Sequence, residues 1–440
     1  MGITHLKWPS RHCLLCGCKP VDMKSYQRLC WMSAICLVGG VILWLATTNV
    51  TPETDAANRK PEPGIPEPGI PEPRKPHEAP LIPQPLMPQQ ETLIPEQENY
   101  DTGGYLVYDC SHRHNKSCGG WSDRLTGILC TYVLAKLTNR TFLINFDNPC
   151  KLEDYFDFKS YDWRYNKTLL DHEPSQYYDY MNDKVKPLMS LLVRANSTQP
   201  IKALFTRRVS FFRINWDITP EFRKFLHIDE YVPWISTLHF ADVNRYIYEL
   251  FLKPKPFLYK AINTVYKTKK ADKTFCAHIR MGRSSTFPND SIVRKTPEEV
   301  RIMFDFIEKI DKRSHDLFLA TDNIDIQKRF YSQYSGDLIL DMPGRLTHID
   351  QAFTGDVCQG FYKQLLDFLF LQTYCDKLVI TNSGFSMVAA YLRDIPGGLY
   401  CWTPRAVITC SRYTIHDFFP FPILGPLREY DAHGNITRLG

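Results

Sequence analysis

From Thr274 to Trp402 the chain repeats one pattern: a short apolar run, a polar or small residue where the run stops, then a helical segment. The runs are "FCAHIR", "DLFLAT", "GDLILD", "DKLVIT" and "GLYCW", and helical segments start at Thr296, Asn323, Gln359 and Phe385. Runs this uniformly apolar suit strands covered on both faces, and helices are what cover them. The pattern predicts an α/β fold with a parallel, doubly wound sheet. "TPEEV" marks one helix start, with Thr296 as N-cap, Pro297 at the first helical position and Glu299 closing a capping box.

An earlier stretch carries a second such unit. "GGYLVYDC" alternates as a strand, "SHRHNKSCGGWSDR" reads as a loop, "LTGILCTYVLAKLT" as a helix and "RTFLINF" as another strand. Residues 151–255 are aromatic-rich, with helices and irregular connections expected. This divides the globular part into an N-terminal lobe, 101–255, and a C-terminal lobe, 256–425, ahead of a tail over 426–440.

Residues 29–50 contain no charged residue, and a helix of that length spans the roughly 30 Å hydrocarbon layer. Lys7, Arg11, Lys19, Lys24 and Arg28 precede it while Glu53 and Asp55 follow, so the positive-inside bias places residues 1–28 in the cytosol. An uncleaved type II anchor is the expectation, since the run is long for a signal-peptide core. Residues 51–100 hold thirteen of the thirty-one prolines, including "PEPGIPEPGIPEPRKP", and read as an extended polyproline stem. Everything beyond would face the secretory lumen, with a Golgi membrane as the expected location.

Six sequons agree with that placement, at Asn115, Asn139, Asn166, Asn196, Asn289 and Asn435. So do nine cysteines beyond the stem, an odd number that leaves at least one free or paired between chains, and a homodimer is open. Their connectivity does not follow from spacing. The formal charge of +5, from 53 basic and 48 acidic residues, and the lack of a basic stripe interleaved with aromatics argue against nucleic acid.

In an open parallel sheet, ligands bind beyond the carboxyl ends of the strands. His278 and Arg280 in "HIRMG" stand two residues apart at such an end, on one face, and a guanidinium fork suits a diphosphate. Thr321 and Asp322 end the next run. Ser383, Gly384, Phe385 and Ser386 in "VITNSGFSMVAAYL" form a small-residue turn into a helix, a pattern that cradles phosphates through backbone N–H groups and hydroxyls. Taken singly, each also reads as an ordinary salt bridge or cap.

In this order, "GGWSDRLTGI", "HIRMG", "FLATDN" and "TNSGFSMVAAYL" resemble the motifs of the alpha-1,2-, alpha-1,6- and protein O-fucosyltransferase superfamily. The resemblance covers most of residues 103–400, and "HIRMG" is its most specific part. It implies a two-lobed GT-B fold of Rossmann-like lobes and transfer of fucose from GDP-fucose to a glycan or glycoprotein hydroxyl. It further implies inversion to an alpha linkage and no metal or other cofactor. Carried over, Arg280 would bind the β-phosphate and stabilise departing GDP, with His278 alongside and Asp322 near the nucleotide. Ser383 to Ser386 would hold phosphates, and Gly119, Gly120 and Asp123 would face the donor from the first lobe. Met281 stands where glycan-modifying branches often carry a second arginine, and Asp123 stands where asparagine is common, an extra negative charge that is unhelpful near a diphosphate unless Arg124 offsets it. Asp290 and Asp154 are candidates for the general base by chemistry alone. Two other readings stay open: a GT-B transferase using another nucleotide-sugar, and an inactive glycan-binding protein on the same scaffold.

Overall fold

The computed structural model describes residues 103–112, 117–290, 292–334, 336–350, 357–419, 428–430 and 436–439. All of these belong to one unit, Pro83–Gly440. The expected anchor and stem, Asn115 and Asn435 lie outside the described residues. Among the described residues no helix is long and apolar enough to cross a membrane.

The first sheet has four parallel strands, β1 (Tyr105–Cys110), β2 (Thr141–Phe146), β3 (Ser175–Asp179) and β4 (Val209–Arg213), in the order β2-β1-β4-β3. Helix α1 (Trp121–Thr138) connects β1 to β2. Sequence reading starts this helix at Leu125, whereas it starts a turn earlier. Gly120 is extended and its N–H is taken by the Asp123 carboxylate at 2.7 Å, so "WSDR" forms the first turn instead of ending the loop. Strands β3 and β4 fall in the stretch expected to be helical and irregular.

Helices α2 (Phe240–Phe251) and α3 (Pro256–Tyr266) lead into the second sheet. Its strands are β5 (Lys273–Ile279), β6 (His315–Thr321), β7 (Ile339–Leu340), β8 (Lys377–Ile380), β9 (Leu399–Trp402) and β10 (Val407–Cys410), in the order β10-β9-β8-β5-β6-β7. All pairs are parallel except β9 with β10. Helices α4 (Pro297–Glu308), α5 (Ile324–Gln333), α6 (Val357–Thr373) and α7 (Gly384–Leu392) connect them. The Thr296–Glu299 capping box forms as expected. "GDLILD" is the exception, because Gly336–Leu338 is a turn of 3-10 helix and only Ile339–Leu340 pairs.

The chain runs β5, β6, β7 to one side and then returns to β8 and β9 on the other. That reversal opens a crevice beyond the carboxyl ends of β5 and β8, the usual ligand position in doubly wound sheets.

The largest core runs continuously through both lobes. Trp121, 1% exposed, stacks on Phe156 at 5.6 Å and meets Phe361 and Phe368 of α6 edge-on at 5.8 and 6.2 Å. Burying a side chain that large contributes about 2–3 kcal/mol, so the helix that starts the first-lobe motif is seated on the second lobe. Disulfides join Cys110 to Cys118, Cys150 to Cys358, Cys276 to Cys375 and Cys401 to Cys410, and the second of these ties the lobes together. The odd cysteine is Cys130, buried on α1 with its sulfur 3.6 Å from the Trp216 carbonyl, so it is not placed to pair between chains.

Candidate active site

A cleft of about 830 Å³ opens between the lobes at the crevice. His278, Arg280, Asp322, Ser383, Gly384, Phe385, Gly119, Gly120 and Asp123 all line it.

Strand register sets the second-lobe wall. β5 and β6 pair His278 with Ala320 and Ile279 with Thr321, so the next residues, Arg280 and Asp322, leave the sheet side by side. The Arg280 guanidinium donates to Asp322 at 2.6 Å and to Asp290. The Asp322 carboxylate also accepts the backbone N–H groups of Met281 at 2.7 Å and Gly282 at 2.9 Å. Asp322 therefore holds the "HIRMG" turn and its arginine in place while lining the cleft itself. Gly282 has φ +73° and an added Cβ would strike the Ile292 carbonyl, so the chain needs glycine to turn here. Beyond it, Arg283 N–H donates to the Ile292 carbonyl and Arg294 N–H to the Met281 carbonyl, both at 2.8 Å, which returns Arg294 to the cleft.

His278 is 5% exposed, and its Nδ1 has no hydrogen-bond partner among the described residues. Burial first, then the Arg280 and Arg294 guanidiniums, pull its pKa down to about 3, so the ring is neutral at any working pH. Its ring packs 5.2 Å from that of Phe385, joining the end of β5 to the start of α7. A buried ring nitrogen without a partner is costly unless a ligand completes it.

Ser383 is the N-cap residue of α7, and its side chain makes no capping bond. Ser386 departs from expectation. It is fully buried, and its hydroxyl bonds to the Thr381 N–H at 3.3 Å and the Thr381 carbonyl at 3.4 Å. The helix begins at Gly384, so its third position faces the sheet instead of the cleft.

The first-lobe wall comes from the turn before α1. Gly119 has φ +81° and lies against the Asp123 side chain. A Cβ on Gly384 would collide with the Ser122 hydroxyl and approach Ser122 Cβ to 2.9 Å, so the N-termini of α1 and α7 abut. Both present first-turn N–H groups and the positive ends of their dipoles, an arrangement that attracts an anion. Asp123 is the acid in the first turn of α1. Burial pushes its carboxyl up to about 6, against the opposing Gly120 N–H bond.

Arg294 offsets part of that charge, and so does Arg124, from inside the fold. Arg124 is fully buried and turned inward, donating to the Gly119 carbonyl at 3.0 Å, the Asn148 carbonyl and the Asp350 carboxylate at 3.0 Å. Asp350 belongs to the second lobe and also accepts from the Ser117 hydroxyl at 2.5 Å and the Cys118 N–H at 3.2 Å. The glycine-rich turn is thus clamped from across the cleft.

Of the two base candidates, Asp290 lies in the cleft on Arg280, while Asp154 is exposed in a short turn and is not a cleft residue. Sequence reasoning missed Arg294, Arg345 and His348 on the second-lobe side and Asn182, Asn215 and Trp216 on the first. Trp216 is 47% exposed, an indole face beside the cleft. Next to it Asn182 and Asn215 bond reciprocally, at 2.8 and 3.0 Å. Trp216 follows β4, so the strand-end rule applied to "RINWD" would have found it. The described sequon residues Asn139, Asn166, Asn196 and Asn289 are exposed, and Asn289 borders the cleft.

No family model and no curated protein matches the chain. Among solved structures it is similar to a NodZ alpha-1,6-fucosyltransferase soaked with GDP-fucose, with a TM-score of 0.45 and 11% identity over 70% of this chain and 99% of that one. Fucosyltransferase NodZ from Bradyrhizobium gives the same figures. A mutant of Arabidopsis thaliana FUT1 in complex with GDP has a TM-score of 0.47 and 12% identity over 75% of this chain and 81% of that one.

Proposed function

We propose that the chain is a type II membrane glycosyltransferase that moves fucose from GDP-fucose to a glycan hydroxyl, with inversion to an alpha linkage. The observation that carries the reading is a convergence. Two helix N-termini, a strand-end arginine and a buried histidine with an orphaned nitrogen meet at the switch point of a doubly wound sheet. A nucleoside diphosphate satisfies them together, and the choice of GDP-fucose follows the motif resemblance.

In this reading the N–H groups at the start of α7 and the Arg280 guanidinium take the diphosphate oxygens. Arg280 keeps N–H groups beyond those given to Asp290 and Asp322, and it acts on the leaving phosphate as the glycosidic bond breaks. Asp123, across the cleft, takes the proton from the acceptor hydroxyl as that oxygen attacks the anomeric carbon from the face opposite GDP. Trp216 offers the acceptor sugar a ring to stack on. Four disulfides and four exposed sequon asparagines among the described residues support a lumenal placement, with a Golgi membrane as the proposed site.

Calorimetric titration of GDP into the native chain and Arg280→Ala tests the donor assignment. Native binding should weaken at least about tenfold in the variant, and turnover should fall about a hundred- to thousandfold. A folded native chain with no affinity for GDP overturns the donor assignment and favours the glycan-binding scaffold.

A further inference from the structure

Away from the cleft, a second open pocket of about 790 Å³ lies where α2, the short strand Leu252–Pro254 and α3 meet the ends of α6 and α7. It shares no lining residue with the cleft. Lys159, Lys253, Lys260 and Lys267 line it, against a single carboxylate, Glu249. Glu249 is held by Arg245 at 3.0 Å and lies 3.6 Å from Lys159. Among the described residues Lys253, Lys260 and Lys267 make no ion pair. Helical spacing brings Lys260, Asn263 and Thr264 onto one face of α3, and Lys267, the residue that caps its C-terminus in near-helical conformation, continues that face.

Under this charged rim lie two polar atoms without a hydrogen-bond partner among the described residues. Tyr248 is 6% exposed and its hydroxyl has no hydrogen bond, and the Gln372 carbonyl oxygen is likewise buried and unpaired. Burial, with Tyr259 and Glu249 close by, pushes the Tyr248 pKa well up, so the phenol stays a donor. Leu252, Pro254, Pro256, Leu392 and the 37%-exposed Tyr259 ring add apolar surface.

We propose that this pocket binds an acidic saccharide, a sugar chain bearing sulfate or carboxylate groups, at a site separate from the donor cleft. The lysines call for an anion, but a bare anion leaves the Gln372 oxygen unsatisfied because that atom only accepts. A sugar hydroxyl donates to it, another accepts from Tyr248, and the C–H face of a pyranose lies against Tyr259 and the prolines. The inference stands on the pocket alone and holds whatever the cleft transfers.

The test titrates the full-length chain, in detergent, with a sulfated tetrasaccharide, an uncharged tetrasaccharide and sodium sulfate. The chain is compared with a Lys260→Ala/Lys267→Ala variant and with Tyr248→Phe, whose folding is checked by circular dichroism and melting temperature. The sulfated sugar should bind, more weakly at high salt, and lose about tenfold in affinity in the double lysine variant. Tyr248→Phe keeps the packing and should lose a few-fold, which a plain charge effect would not produce. The proposal is overturned by equal binding of sulfate alone, by equal binding of the uncharged sugar, by failure of the sulfated sugar to bind, or by sulfated-sugar affinity unchanged in both variants.

Discussion

The two walls of the cleft are organised in different ways. The second-lobe wall is held by its own neighbours: Arg280 by Asp290 and Asp322, and the "HIRMG" turn by Asp322. On the first-lobe wall, the glycine-rich turn is fixed through Arg124 by Asp350, which belongs to the opposite lobe. One wall is a local product of strand register, whereas the other, although tied within its own lobe by the Cys110–Cys118 disulfide and the Gly120–Asp123 bond, is also clamped by a residue of the opposite lobe. Damage to the first should therefore appear in chemistry, and damage to the second in stability and chemistry together.

The largest effect expected is at Asp123, the base proposed on the first-lobe wall. Asp123→Asn keeps an oxygen to accept the Gly120 N–H, so the helix start is preserved, but it removes the proton acceptor. Turnover should fall about a hundred- to ten-thousandfold. In the native chain the rate should drop as pH falls below about 6 and level off above it, and the variant should lose that limb. Stability adds a second readout. The fold raises this carboxyl from 3.8 to about 6, so the native state holds the extra proton within that window and loses stability as pH rises through it. The variant lacks this penalty, and its melting temperature relative to the native chain should be higher at pH 7 than at pH 4. An unchanged pH–rate profile in Asp123→Asn rules out Asp123 as the base.

Next comes the clamp. Asp350→Ala leaves the Arg124 guanidinium fully buried with only carbonyl partners, which should cost about 3–5 kcal/mol. Thermal unfolding measures this directly. Asp350→Asn retains an acceptor and should lose less. A melting temperature unmoved in the alanine variant means the first-lobe turn is self-supporting, and the contrast between the walls fails.

The same contrast explains which parts of the site are legible in sequence. His278 and Arg280 stand out because two steps along a strand share a face, and Asp322 follows because β5 and β6 pair in register. The Thr296 cap and the second sheet are local patterns of the same kind. Asp350 and Arg124 are 226 residues apart, and no local pattern joins them. Strands β3 and β4 escape because "SQYYD" has a half-exposed edge pattern and "VSFFR" is too short to show a period, and Trp216 goes with them. Ser386 misleads because its direction depends on which residue opens α7, and a one-residue difference there rotates a side chain by about 100°.

The smallest effect expected is at the seam where the walls touch. Gly384 is the first residue of α7, and an added Cβ meets Ser122 of α1, whose Cβ lies 2.9 Å away. The serine hydroxyl can rotate aside, but its Cβ can retreat only if one helix shifts. Gly384→Ala should cost about 1–3 kcal/mol in stability. The shift also separates the two N-termini that are proposed to share the diphosphate, so KM for the donor should rise several-fold while kcat, assigned in this proposal to Arg280 and Asp123, changes less. Ser122→Gly in the same chain removes the obstructing Cβ and should restore both quantities. Restored stability without restored donor affinity would show that α7 binds the diphosphate without help from α1, leaving the first-lobe wall to the acceptor alone.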